Sequence, residues 1–114
     1  MKYGLIIRVE LHRVRDGDTV EVKFPGGWWV FAIRIKDINC PERYTEAGKL
    51  ATQYTIQTLE AADEIALQVE IPSNQNPLKH LSFDRVPADL VIMPQRQLLS
   101  DLLIKEGHAK RWTR

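Results

Sequence analysis

Asp16-Gly17 narrows what this chain can become more than any other feature, because it separates two runs of alternating apolar residues. A turn-forming pair between such runs is the strongest short hairpin signal in a sequence. Before it, residues 3–12 are mostly apolar, and Val9 and Leu11 begin the alternation of a first strand. After it, Val20, Val22 and Phe24 share one face of a second strand over residues 18–24. Pro25-Gly26-Gly27 marks the next turn, and residues 28–38 carry Phe31, Ile33 and Ile35 on one side with Arg34 and Lys36 on the other. Three sequential antiparallel strands follow from this punctuation.

Pro41 then removes a backbone donor and ends strand pairing. Beyond it the period changes. Ala47, Leu50, Ala51, Tyr54, Thr58, Leu59 and Ala62 follow helical spacing, with Thr45 as N-cap. Ile65, Leu67, Val69 and Ile71 restore the alternation and give a fourth strand, followed by a polar loop over residues 72–77. A fifth strand is expected over residues 85–93, with Pro87 near its start. Pro94 is expected to open a second helix whose apolar face is Leu98, Leu99, Leu102 and Leu103, closed by Gly107. This order predicts an α+β protein, a five-stranded OB-fold barrel with two α-helices, forming a single domain over residues 1–114.

Sixteen Lys and Arg against fifteen Asp and Glu leave a net charge of +1. Such a balance argues against broad electrostatic capture of nucleic acid but leaves room for a local patch. Basic residues gather at the end of the chain, where Lys105, Lys110, Arg111 and Arg114 face only Glu106. Cys40 is the one cysteine, which excludes an internal disulfide and a cysteine zinc site. The apolar run Leu5-Ile6-Ile7 is too short for the core of a signal peptide, and no stretch approaches a membrane span. The chain as given is expected to be cytoplasmic, or secreted if an export signal has been removed.

The residues that can carry chemistry cluster at strand ends. Arg34 through Glu42 begins as an apolar strand bearing a cation and ends by delivering a carboxylate beyond Pro41. Charges at the close of a buried strand are costly unless paired, so this stretch is either a solvated strand end or one wall of a site. Asp16 and Asp18 bracket a glycine; they are either a plain turn or an oxygen cluster suited to a hard cation such as calcium. Arg85 is either a surface arginine or, with Arg34, one of two guanidinium forks for a phosphodiester whose oxygens gain charge at the transition state. In that second reading Glu42 is the base that activates water and Asp18 a metal ligand. Of Trp28 and Trp29, adjacent on a strand, one is expected to face inward and the other outward. Lys110 and Trp112 combine cation and ring as single-stranded nucleic acid favours, with a terminal packing anchor as the alternative for Trp112.

Taken together these pieces resemble the staphylococcal nuclease-like, or thermonuclease, family. The matching residues are Val14-Arg15-Asp16-Gly17-Asp18-Thr19-Val20, Arg34, Ile38-Asn39-Cys40-Pro41-Glu42, Gly48 and Ala51, Phe83-Asp84-Arg85 with Ala88, and Leu103 through Glu106-Gly107-His108-Ala109. They run in order along nearly the whole chain. The resemblance implies an OB-fold barrel and calcium-dependent hydrolysis of DNA and RNA with little sequence preference. It also implies that Asp18, Asn39 and the backbone carbonyl of Cys40 hold calcium, and that Glu42 activates or orients water. Arg34 and Arg85 would clamp the phosphate, and Asp16 and Thr19 would order the surroundings of the metal. Phe83, Lys110 and Trp112 are further candidates for substrate contact.

Two departures from the family pattern bear on activity. Asn39 stands where an aspartate is expected and brings an amide oxygen without charge, so calcium affinity should fall. The usual Tyr-Gly-Arg is Phe83-Asp84-Arg85, which removes a hydroxyl and sets a carboxylate beside the arginine. The chain also stops where the prototype continues into a third helix, so a homodimer through that surface is a further expectation. A catalytically weak or inactive OB-fold module that binds nucleic acid or a protein partner is the alternative to a nuclease.

Overall fold

A computed structural model describes residues 2–72 and 85–111, with side chains over 6–69 and 87–111. Five strands form a closed barrel flanked by two helices, as the alternation and its interruptions predict. The strands are β1 (Lys2–Asp16), β2 (Thr19–Lys23), β3 (Val30–Ile35), β5 (Glu64–Pro72) and β6 (Arg85–Met93). They run β3-β2-β1-β5-β6, and parallel pairing of β3 with β6 closes the ring. A short ribbon joins β4 (Ile38–Asn39) to β8 (Lys110–Arg111), and β7 (Gln97–Leu98) pairs with β6. The helices are α1 (Glu46–Ala61) and α2 (Leu99–Lys105).

One strand serves two neighbours. The first half of β1 pairs with β5, up to Val9 opposite Ile65, and the second half pairs with β2 from Glu10 to Asp16. Register shifts between Leu11 and Arg13 and between Val14 and Asp16 interrupt the second half. Irregularities of this kind bend and twist a strand, which is what a small barrel needs to close. Inside lie Val20, Val22, Phe31, Ile33, Ile35, Leu67, Val69 and Leu90, all buried, with Leu99 and Leu103 of α2 sealing one end. Among the described residues no helix is long and apolar enough to cross a membrane.

Several local expectations are corrected. Trp28 and Trp29 precede β3 rather than lying on it. Trp28 is 90% exposed, while Trp29 stacks on Phe31 with ring centroids 5.0 Å apart. The third strand ends at Ile35, because Asp37 takes a left-handed backbone (φ 65°) and turns the chain into β4. Pro94 does not open the second helix. Arg96 is left-handed (φ 61°), its N–H bonds Ile92 O at 2.8 Å, and Gln97–Leu98 returns to pair with β6 before α2 begins. Gly107 (φ 76°) closes α2 as expected, with the His108 N–H reaching Leu103 O at 2.8 Å.

Helix α2 begins without a cap of its own. Leu98 offers no side-chain hydrogen bond, and Asp89 on β6 accepts from the Ser100 N–H at 3.2 Å and from the Ser100 hydroxyl. Burial pushes the Asp89 carboxyl above its ordinary value despite these bonds. A raised acid stabilises the fold while protonated, and that contribution is lost as pH rises through its folded-state pKa. Asp89→Asn keeps an acceptor and removes the ionisation. Urea unfolding should therefore show this variant more stable than the parent at neutral pH, with the gap shrinking as pH falls.

Candidate active site

Three pieces of chain meet at one end of the barrel: the β1–β2 turn, the β3–β4 corner and the loop entering α1. They line an open cleft of about 390 Å³ that gathers Asp16, Asp18, Thr19, Arg34, Asn39, Cys40 and Glu42. Register explains the first meeting. Thr19 lies opposite Arg34, and the Ile35 N–H donates to Asp18 O at 2.8 Å, so barrel closure sets the aspartate beside the arginine.

The β1–β2 turn owes its glycine to crowding. A Cβ on Gly17 would lie 2.8 Å from Cys40 Sγ and 3.0 Å from Ala51 Cβ. The buried Thr55 hydroxyl of α1 donates to Gly17 O at 2.8 Å, which pins the turn to the helix. The helix face that does this is Gly48, Ala51, Thr55 and Leu59, whereas Ala47 and Leu50 of the expected apolar stripe are exposed.

Asp18 is buried among competing partners. Its Oδ2 accepts the Cys40 N–H at 3.0 Å and lies 3.3 Å from Arg34 Nη2. The Asp18 N–H in turn donates to Asp16 Oδ1 at 3.2 Å. Burial raises the Asp18 carboxyl above its usual range, and Asp16 adds to this, against the lowering effect of the Cys40 amide and Arg34. The Cys40 thiol is pushed up to about 12, first by burial and then by the two aspartates, so it stays neutral and is no nucleophile.

Arg34 is folded over its own corner. Nη1 donates to Ile35 O at 2.6 Å, and Nη2 donates to Ile38 O at 2.9 Å and to the Asn39 amide oxygen at 2.6 Å. The Nε–H and the second Nη1 hydrogen are not among these bonds. Asn39 thus presents its oxygen to the cleft already engaged by a cation. Asp37 does not line the cleft.

Glu42 is held by its backbone. Its carbonyl accepts the Thr45 N–H at 3.0 Å and the Thr45 hydroxyl at 2.7 Å, and Thr45 Oγ1 caps α1 by accepting the Gly48 N–H at 3.0 Å. The same carbonyl sits against Gly48, where an added Cβ would approach it to 1.8 Å. The carboxylate therefore stands on a fixed loop at an exposed wall of the cleft.

Among the described residues no group of three His, Cys, Asp or Glu side chains is placed to hold a metal ion. What converges instead is an oxygen set, the Asp16 and Asp18 carboxylates with the Asn39 amide, and oxygen donors suit a hard cation such as calcium rather than zinc.

Other expected contacts lie elsewhere. The backbone of Arg85 opens β6 opposite Ala32, but its side chain, together with Phe83, Asp84 and Trp112, falls outside the described residues. Lys110 pairs with Asn39 across the β4–β8 ribbon and lines a second cavity of about 420 Å³ that shares Asn39, Cys40 and Pro41 with the cleft. Three cleft residues were given no role in the sequence reading: Arg15, Arg43 and Tyr44. Tyr44 is 74% exposed, with Arg43 Cζ 5.2 Å from its ring centroid. The signal was an arginine-tyrosine pair directly after Pro41-Glu42, a mixture that suits unpaired bases. No known family model matches this chain, and no curated protein sequence matches it.

Proposed function

We propose that this chain is a staphylococcal nuclease-like phosphodiesterase that hydrolyses DNA and RNA with little sequence preference and depends on calcium. The observation that carries the reading is the convergence of Asp18, Arg34, Asn39 and Glu42, from three separate segments, on one open cleft. A plain structural ion pair would need only two of them.

In this reading Asp18 and Asn39 hold calcium, joined by the Cys40 carbonyl, while Asp16 and Thr19 keep Asp18 in place. Calcium when bound supplies Lewis-acid polarisation of a phosphoryl oxygen. Glu42 takes or orients the proton of the attacking water as its oxygen bonds to phosphorus and the P–O bond to the leaving strand breaks. Arg34 offers its remaining N–H groups to the equatorial oxygens, where charge grows, and Arg85 is the second clamp. The purified protein should degrade single-stranded DNA and RNA in millimolar calcium and stop when a chelator is added. Binding without cleavage under those conditions would contradict the assignment.

One observation favours a second reading, a module that binds strands without efficient cleavage. Arg34 already donates to Ile35 O, Ile38 O and Asn39 Oδ1, so engaging substrate competes with bonds already made. Asn39→Asp separates the two readings. Adding charge to the oxygen set should tighten calcium binding by roughly tenfold in a calorimetric titration, since ligand charge sets calcium affinity. An unchanged affinity removes Asn39 from the metal site.

A further inference from the structure

On the outer face of β1 and β2, Glu21 sits between two buried valines yet points into a cluster of cations. Arg15 Nε donates to Glu21 Oε2 at 2.5 Å, and Arg13 Nη2 donates to the same oxygen at 2.8 Å. His12 Nε2 lies 4.0 Å from Oε1. The carboxylate is close to the surface, but the groups packed over it leave its side chain only 9% exposed. Pairing brings this about: Arg13 lies opposite Glu21, and Arg15, two residues further along β1 and so on the same face, reaches the same oxygen.

The two arginines differ in one respect. Arg15 lines the cleft beside Asp18 and Arg34, and Arg13 does not. Because Arg15 spends its Nε–H on Glu21, its two Nη groups have no protein partner among the described residues. A guanidinium gripped at Nε and open at Nη is a fork fixed in direction, the form in which arginine meets phosphate. Stability alone gives little reason for the arrangement, since ion pairs of this kind are often neutral or unfavourable against apolar replacements. Arg15 and Arg13 together hold the Glu21 carboxyl below its usual range, so the grip persists into mildly acidic solution.

We propose that Arg15 binds a phosphate next to the scissile one on a nucleic-acid strand, and that Glu21 is its positioning residue. The proposal rests on the phosphodiesterase reading and extends it from the reacting phosphate to the strand around it. Arg13 shares the carboxylate but lies off the cleft, which makes it the internal control.

The experiment measures binding of short fluorescein-labelled oligothymidylate and oligouridylate by anisotropy in chelator over a salt series, and cleavage of the same strands in calcium. Arg15→Gln should weaken binding about tenfold and lower the salt slope by about one, while Arg13→Gln changes either far less. In cleavage, Arg15→Gln should raise KM and leave kcat within about twofold, as expected for a contact made equally in ground and transition states. Glu21→Thr is the sharpest variant, because it makes the protein more positive. Charge alone would tighten binding, whereas loss of positioning weakens it several-fold. Equal behaviour of Arg15→Gln and Arg13→Gln, or tighter binding by Glu21→Thr, overturns the proposal while wild-type cleavage leaves the phosphodiesterase reading standing. A wild-type protein that neither binds nor cleaves either strand overturns both.

Discussion

Glu42→Ala should lower kcat on single-stranded DNA by about a thousandfold with little change in KM, the loss expected for a positioned general base. The residue is exposed, and its backbone rather than its carboxylate fixes the loop, so the variant should fold normally. Arg34→Ala should fail differently. If the phosphodiesterase reading holds, it removes a transition-state contact, for a loss of roughly a hundredfold or more in kcat, and also a substrate contact, so KM should rise as well. It further leaves Ile35 O, Ile38 O and the Asn39 amide without their donor, and a lower urea midpoint should accompany the kinetic defect. Side-by-side kinetics and unfolding curves check both expectations; a Glu42→Ala enzyme that keeps wild-type kcat would remove that residue from the chemistry.

Gly48→Ala should also have a large effect, although Gly48 contributes no functional group. An alanine Cβ would stand 1.8 Å from the Glu42 carbonyl oxygen and 2.5 Å from its carbon, both backbone atoms with no rotamer to escape through. Either α1 retreats or the Glu42 loop moves. Overpacking of this severity costs about 3 kcal/mol. If the loop yields, displacement of Glu42, the proposed base, by an ångström should lower activity by roughly a hundredfold. Gly17→Ala is the milder neighbour, because it meets side-chain atoms rather than backbone, the Cys40 sulfur at 2.8 Å and Ala51 Cβ at 3.0 Å. Thermal melting together with kcat separates the outcomes: a normal melting temperature and normal kcat for Gly48→Ala would mean that α1 does not set the position of Glu42.

The barrel was legible because its strands keep period two and its helices do not, and because turns fall where proline and glycine stand. The local reasons were less legible. Asp16-Gly17 signals a turn by its backbone tolerance, yet Gly17 is required by a close approach from Cys40 and Ala51, residues distant in sequence. Of the apolar stripe of α1, Ala51 and Leu59 are buried as expected while Ala47 and Leu50 are exposed, and the docking face also includes Gly48 and Thr55, which meet the polar Gly17 turn. Pro94 is a common helix opener, and only the left-handed Arg96 and the return of Gln97–Leu98 to β6 reveal that the helix starts later.

The candidate site shows the same division. Asp18, Arg34, Asn39 and Glu42 were readable because spacing within each short motif survives folding. The grip of Arg34 on Asn39 was not, since it depends on the left-handed turn at Asp37. Arg15 was given no role for a related reason: alternation along β1 puts Arg13 and Arg15 on one face, but only strand pairing sets Glu21 opposite them.

The most direct test of the phosphodiesterase reading is single-turnover cleavage of an end-labelled single strand by wild type, Glu42→Ala and Arg34→Ala, purified side by side and assayed in calcium and in chelator. Wild type should yield shortened products in calcium alone, and both variants should yield almost none. Cleavage that persists undiminished in both variants, or a wild type that binds the strand and leaves it intact, would contradict it.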